Sequence, residues 1–301
     1  MQQSSVRFSF KRIDILLVLL VLIWSSNFSI VKTVIVEIPS LAFNALRILI
    51  ACFVLVTTSR LRNEAFPSKS DWPRFFALGF LGHFCYQLVF VTGLERTTVT
   101  NSSLILGCMP FAVIVLNAIS GLRESIGWRQ WTGFVLATVG VFFLVAQGVG
   151  ASRETLTGDA MTFAALWAWA FYTTGSRPLL VRYSPLQVSA YATLVGAVLF
   201  TPMALPSLVA LDWKGVSMLA WSLTILSGVL ALSVSHIIWY TGVQRLGSAR
   251  TSVYANLVPV SAMAIASVWL LEPIGMARLI GASLVLTGLL LTRVEPRTTH
   301  S

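Results

Sequence analysis

Arg47 stands in the stretch PSLAFNALRILIACFVL, eight residues beyond Pro39 and surrounded by apolar side chains. At helical rise that depth is about 12 Å, a long reach for a side chain seeking water by snorkelling. A cation placed there does one of two things: it clamps or gates an anionic group such as a carboxylate, or it bonds backbone carbonyls and locks helices together. Asn27, in LIWSSNFSIVK, raises the same choice between a ligand and a neighbouring helix, because its amide offers both donors and an acceptor. Asn101, Asn117 and Asn256 share it. Asn256 lies three residues before Pro259, where a proline frees helix carbonyls that can face a cavity.

Two stretches, YQLVFVTG and SHIIWYTG, place Tyr86, Gln87 and Phe90 in correspondence with Ser235, His236 and Trp239, with Tyr240 next in line. They read either as a polar and aromatic cavity wall, whose rings stack on flat or apolar groups, or as ordinary ring packing. LWAWAFYTTG adds Trp167, Trp169, Phe171 and Tyr172. Trp167 lies about 13 Å beyond Gly158 along a helix, deeper than an interfacial belt, so cavity lining gains weight for it. Lys32 lies about 8 Å from the turn at Glu37 to Pro39, within snorkelling reach, and is assigned to the outer mouth or a gate. The acidic residues Asp14, Glu37, Glu64, Asp71, Glu95, Glu124, Glu154, Asp159, Asp212, Glu272 and Glu295 all fall at or near the ends of apolar runs. A proton relay on buried carboxylates is therefore not expected, and His83 and His236 are the groups left for proton coupling or for neutral packing.

The elements that carry these side chains follow from composition. Hydrophobic residues make up 56% of the chain and charged residues 11%, against about 25% charged in a soluble domain. Runs long enough to cross a bilayer, about 20 residues each, recur along the chain. Breaks at proline, charge and glycine predict an all-α integral membrane protein with helices near 13 to 36, 41 to 59, 73 to 94, 98 to 120, 127 to 147, 158 to 181, 186 to 206, 215 to 242, 248 to 271 and 274 to 293. The first run continues too far for a cleaved secretory leader and reads as the first span.

Of 21 Lys and Arg residues, all but Lys32, Arg47, Arg96, Arg153, Lys214 and Arg278 fall in segments on one side of such a bundle. The net charge of +10 thus reflects topology, with both termini cytoplasmic, and not a nucleic-acid surface. Cys52, Cys85 and Cys108 lie inside apolar runs without metal-ligand spacing, and no metal or cofactor is expected.

The chain also repeats itself. Gly93, Arg96, Ser103 and Pro110 recur as Gly242, Arg245, Ser252 and Pro259 at a constant offset of 149. Glu124, Gly133 and Gly140 recur as Glu272, Gly281 and Gly288, and Trp24 and Phe28 are paired with Trp167 and Phe171. Five spans is an odd number, so a duplicated five-helix unit enters the bilayer inverted the second time. Exchanging the conformations of two inverted halves converts an inward-open state into an outward-open one. The expected organisation is a cytoplasmic segment 1–12, a first repeat 13–147, an outer linker 148–157, a second repeat 158–293 and a cytoplasmic tail 294–301.

LLVLIWSSNFSIVK, NALRILIACFVL, CMPFAVIVLNAISGLRESIGWRQWTGFVLATVGVFFL and LVPVSAMAIASVWLLEPIGMARLIGASLVLTGLLL together resemble the EamA-type branch of the drug/metabolite transporter superfamily. That resemblance implies ten helices, a central cavity lined mainly by the first four helices of each half, a fifth scaffold helix in each, and small metabolites as cargo, often amino acids moved outward. The family's first-helix motif usually has Gly before Ser-Asn. Ser25 stands there instead, which implies a slightly looser approach of the neighbouring backbone.

Rival classes are weighed by their motifs. No G-x-x-x-x-G-K-[ST] is present, so ATP and other nucleotides are not expected as partners. H-E-x-x-H, G-x-S-x-G and a buried carboxylate pair are also missing, which ranks a membrane enzyme low. A passive channel or scramblase shares the repeat and the polar cavity. The glycines seven apart, Gly133 with Gly140 and Gly281 with Gly288, allow close helix approach, either within the chain or in a homodimer.

Overall fold

The computed structural model describes residues 12–120 and 152–292, together with Trp128 and residues 132–133, 135–136 and 139–140 between them. Every regular element among the described residues is helical. The chain runs through α1 (Arg12–Val34), α2 (Ser40–Leu61), α3 (Lys69–Arg96), α4 (Val99–Ile119), α5 (Arg153–Gly175), α6 (Pro185–Val209), α7 (Met218–Leu246), α8 (248–269) and α9 (Met276–Thr292). Six of these, α1 to α4, α6 and α7, are long and apolar enough to cross a membrane. The expected fifth span, with Arg123, Glu124 and Trp131, lies largely outside the described residues.

Helix starts are set by small polar residues, because an uncapped N-terminus in hydrocarbon leaves N–H groups without water. Thr98, Ser152, Ser184 and Ser217 each accept the N–H three residues ahead, and Gln187 returns the bond to Ser184 in a capping box. The Ser152 cap corrects the expected linker 148–157. Helix α5 begins at Arg153, five residues before the anticipated start, because Ser152 satisfies the Thr155 N–H at 3.2 Å.

The two halves interlock by one scheme. Helix α1 packs on α8 and on the end of α7, and its counterpart α5 packs on α4 and on the end of α3. Helices α2 and α6 face each other, and each also packs on the middle of the third helix of the opposite half. That middle is a π-helical stretch in both halves, Gly79–Cys85 and Ser227–Val234, a rare geometry. Side-chain detail obeys the same exchange. A Cβ on Gly79 would meet Val195 and the carbonyl oxygen of Ala192, and one on Gly228 would meet Ile50 and the carbonyl oxygen of Arg47. Ile50 and Arg47 stand 145 residues before Val195 and Ala192.

This spacing corrects one sequence pairing. Asp14 and Trp24 stand 145 residues before Asp159 and Trp169, so the partner of Trp24 is Trp169 and not Trp167. The Asp pair confirms the register. Asp14 accepts the Tyr254 hydroxyl on α8 at 2.6 Å, and Asp159 accepts Thr97 at 2.5 Å and the Asn101 amide of α4 at 3.3 Å. Each aspartate lies in the first two turns of the first helix of its half and bonds the other half just before, or within, its fourth helix.

Both fourth helices are broken at mid-length. In α4 the break is at Cys108, just before Pro110, and in α8 a 3-10 segment, Val253–Leu257, precedes Pro259. Gly107 and Pro259 meet there, close enough that any Cβ on Gly107 would strike the proline ring. Ser25 is fully buried and donates to the carbonyls of Val21 and, across helices, Val258 at 3.3 Å. It ties α1 to α8, where the resemblance implied a looser approach. The outside of the bundle is apolar instead: Phe53, Val198 and Ile225 are 73%, 64% and 52% exposed, as suits a surface facing lipid chains.

Candidate functional site

Between the halves lies a narrow, partly open cavity, lined by residues of both. Every helix from α1 to α5, and α7 and α8, supplies lining residues. One wall is aromatic. Trp24 meets Trp169 edge-on at 5.4 Å between centroids, Tyr86 lies 4.8 Å from Trp169, and Tyr86 stacks on Phe90 at 5.4 Å. The other wall is polar, made by Asn27, Arg47, Gln87 and His236.

Arg47 organises that polar wall. It is 1% exposed, and no carboxylate pairs with it among the described residues. Its Nε donates to Asn44 Oδ1 at 2.6 Å, one terminal nitrogen to Gln87 Oε1 at 2.6 Å, and the other to Ser227 Oγ at 3.4 Å. Ser227 passes the polarity on, donating to Asn27 Oδ1 at 2.7 Å. The ring of Phe43 lies 5.2 Å from the guanidinium carbon. A buried cation held by neutral dipoles alone is expensive, and the cluster offsets this with four oriented groups from α1, α2, α3 and α7.

His236 lines the cavity and His83 sits behind it, with ring centroids 5.1 Å apart. His83 Nε2 is within hydrogen-bond distance of Tyr172 Oη at 3.1 Å and Thr193 Oγ1 at 3.2 Å. Two glycines make this packing possible. A Cβ on Gly196 would collide with His83, and one on Gly82 would fall in the ring of Tyr172.

Of the residues singled out from sequence, Asn27, Arg47, Tyr86, Gln87 and His236 line the cavity. Trp167, Tyr172, Trp239, Tyr240 and Asn256 do not. Trp167 faces Phe163, and two residues along a helix separate it from the inward-facing Trp169 by more than half a turn. Tyr172, Trp239 and Tyr240 are fully buried behind the wall, where Trp239 donates to Thr173 Oγ1 at 3.3 Å and Tyr172 packs on Tyr240. Asn256 is buried in the 3-10 segment between the lining residues Ala255 and Val258. Lys32 sits at the end of α1, donating to the Glu95 carbonyl at 3.1 Å, away from the cavity. Trp24, Phe28, Phe90, Ser103, Met109 and Trp169 line it in addition. Asn44 and Ser227 carry the network around Arg47. Asn44 could have been found as the residue one helical turn before Arg47, whereas nothing in the sequence marked Ser227.

Comparison with known proteins adds three findings. The chain matches the EamA-like transporter family twice, over residues 11–146 and again over 156–294. It is 27% identical to "Uncharacterized transporter YetK" of Bacillus subtilis (strain 168), covering 88% of this chain and 82% of that one, and 28% identical to a "Probable terminal-alkyne amino-acid exporter" of Streptantibioticus cattleyicolor, covering 91% of each. A solved crystal structure superposes with a TM-score of 0.71 over 95% of this chain and 98% of its own, at 19% identity.

Proposed function

The chain belongs to the EamA-like transporter family, and on that premise we propose that it is a secondary carrier that exports small amphipathic metabolites, amino acids or related compounds, by alternating access. The observation that carries this reading is the cavity enclosed by two halves whose contacts interchange. Where backbone approaches and end contacts have counterparts, the set closing one mouth can loosen as the set closing the other tightens, at little net cost. Asp14 with Tyr254, and Asp159 with Thr97 and Asn101, are the two end contacts that would trade places. Ten helices in two inverted units, with both termini in the cytoplasm of a bacterial inner membrane, is the arrangement that fits. Lys and Arg cluster on the side of the termini.

Within the cavity Arg47 is the group for a carboxylate, and the ring wall of Trp24, Tyr86 and Trp169 takes an apolar body. His83 and His236 are the titratable pair through which protons would be coupled. The amino-acid assignment draws support from the relative named as an amino-acid exporter. Purified protein in liposomes, given a panel of labelled amino acids, is expected to show saturable counterflow. No exchange above empty vesicles would remove the amino-acid assignment, and linear uptake without counterflow would point to a channel. Single cysteines at Asn63 and Thr155 in a background without Cys52, Cys85 and Cys108 are expected to label from opposite faces of the membrane.

A further inference from the structure

We propose that the cavity selects cargo by negative charge: its preferred ligand is a compact carboxylate without a free ammonium group, and zwitterions and amines are disfavoured. The inference rests on the carrier reading above but departs from its amino-acid cargo, putting a related carboxylate without the ammonium group in place of the zwitterion. It comes from the direction of the hydrogen bonds. A guanidinium donates and never accepts, so each neighbour turns an oxygen toward Arg47, or toward the group that Arg47 has already polarised. Gln87 Oε1 and Asn44 Oδ1 face the guanidinium directly, and Asn27 Oδ1 accepts from Ser227, which itself accepts from Arg47.

With those oxygens tied into the wall, the –NH₂ groups of Asn27 and Gln87 are what these two residues have left to offer a ligand. Arg47 adds the N–H bonds its neighbours leave unused. Donors thus converge from three helices, α1, α2 and α3, the pattern that stabilises an anion. An ammonium finds the opposite. The lining residues hold no carboxylate. Ser103 and His236 supply only neutral acceptors, and the aromatic faces offer a weaker attraction that the nearby guanidinium opposes.

The test compares three ligands that share one body and differ in charge: 3-phenylpropanoate, phenylalanine and 3-phenylpropylamine. Trp24 and Trp169 line the cavity, so quenching of tryptophan fluorescence in detergent-purified full-length protein reads binding without requiring transport. Counterflow in liposomes is measured in parallel. The expected result is that 3-phenylpropanoate binds at least about tenfold more tightly than phenylalanine and the amine does not compete. Because Arg47→Met could fail to fold, Gln87→Glu is the second variant. It places a carboxylate against the guanidinium, and is expected to weaken 3-phenylpropanoate binding by at least about tenfold while the protein still elutes as a single species.

If phenylalanine or the amine binds as well as the carboxylate, or if none of the three binds, charge selection is overturned. Tight carboxylate binding that survives Gln87→Glu overturns it as well. Selective binding of the carboxylate without any counterflow upholds the ligand class and removes the carrier reading, so the two failures are distinguishable.

Discussion

The first and second halves share a scaffold and differ in chemistry. Gly79 and Gly228 make equivalent contacts, Asp14 and Asp159 bond equivalent helices, and Trp24 and Trp169 meet across the cavity. The counterpart of Arg47 is Ala192, fully buried, with its carbonyl beneath Gly79. The counterpart of Gln87 is His236, and that of Asn27 is Tyr172. What is symmetric is backbone approach and end contacts, the parts that would move in two equivalent ways in the proposed carrier. What is asymmetric is the set of groups a ligand would touch. A small cargo lying across a pseudo-axis has no need of identical walls, so duplication can keep the mechanics while one half acquires the charge.

The comparison can be broken most severely at Arg47. Arg47→Ala strips the donors from Asn44, Gln87 and Ser227 and is expected to lower ligand affinity by about a hundredfold, or about 3 kcal/mol. Arg47→Lys should recover only part of that, since a point charge cannot replace the planar fork. Adding Ala192→Arg to Arg47→Ala should not restore binding, because the second half lacks an oriented shell there. Restored transport would show the walls to be interchangeable.

The next test is thermal unfolding of purified protein. Gly79→Ala is expected to destabilise by about 2 kcal/mol and Gly228→Ala by about 1 kcal/mol, within the usual cost of overpacking. At Gly79 the new Cβ falls 2.6 Å from a backbone oxygen, whereas at Gly228 the nearest atom is a side-chain methyl at 2.9 Å. Neutral effects at either position would deny the shared close approach. Asp14→Asn and Asp159→Asn should each weaken an end contact by about 1 kcal/mol. The sharpening result is directional: cysteines placed in the cavity should become more reactive from one face in the first variant and from the other face in the second. The mildest change is at the rings. Trp169→Phe is expected to weaken binding about fivefold, roughly 1 kcal/mol of ring contact, and Trp167→Phe to leave it unchanged.

How much of this was legible beforehand differs along the chain. Helix positions were readable because hydrocarbon forces long uninterrupted apolar runs. The repeat was readable from the third helix onward because Gly93, Arg96, Ser103 and Pro110 mark turns and close approaches whose geometry tolerates few substitutions. The first two helices of each half were not, since their spacing is 145 and not 149, and beyond Asp14 and Trp24 it is carried by common apolar residues such as Leu41, Ala45 and Leu49. In LWAWAF either tryptophan could face inward, and which one does depends on rotation of the helix about its axis. Arg47 was visible as a charge out of place, whereas Asn44, one helical turn before it, was not singled out. Ser227 was hidden, because a serine in a membrane helix commonly bonds its own backbone, whereas this one opens the π-helical stretch and accepts from the guanidinium.

Arg47 also has an electrical consequence. In the proposed carrier, a positive charge buried within the bundle, with no counter-ion among the described residues, would feel the membrane potential each time the pocket changed its exposure, at about 2.3 kcal/mol per 100 mV for a full traverse. With a carboxylate aboard, the moving part is neutral and voltage has little grip on it. The unloaded step would therefore be the one that voltage drives or holds back, and transient currents would appear only in the absence of cargo.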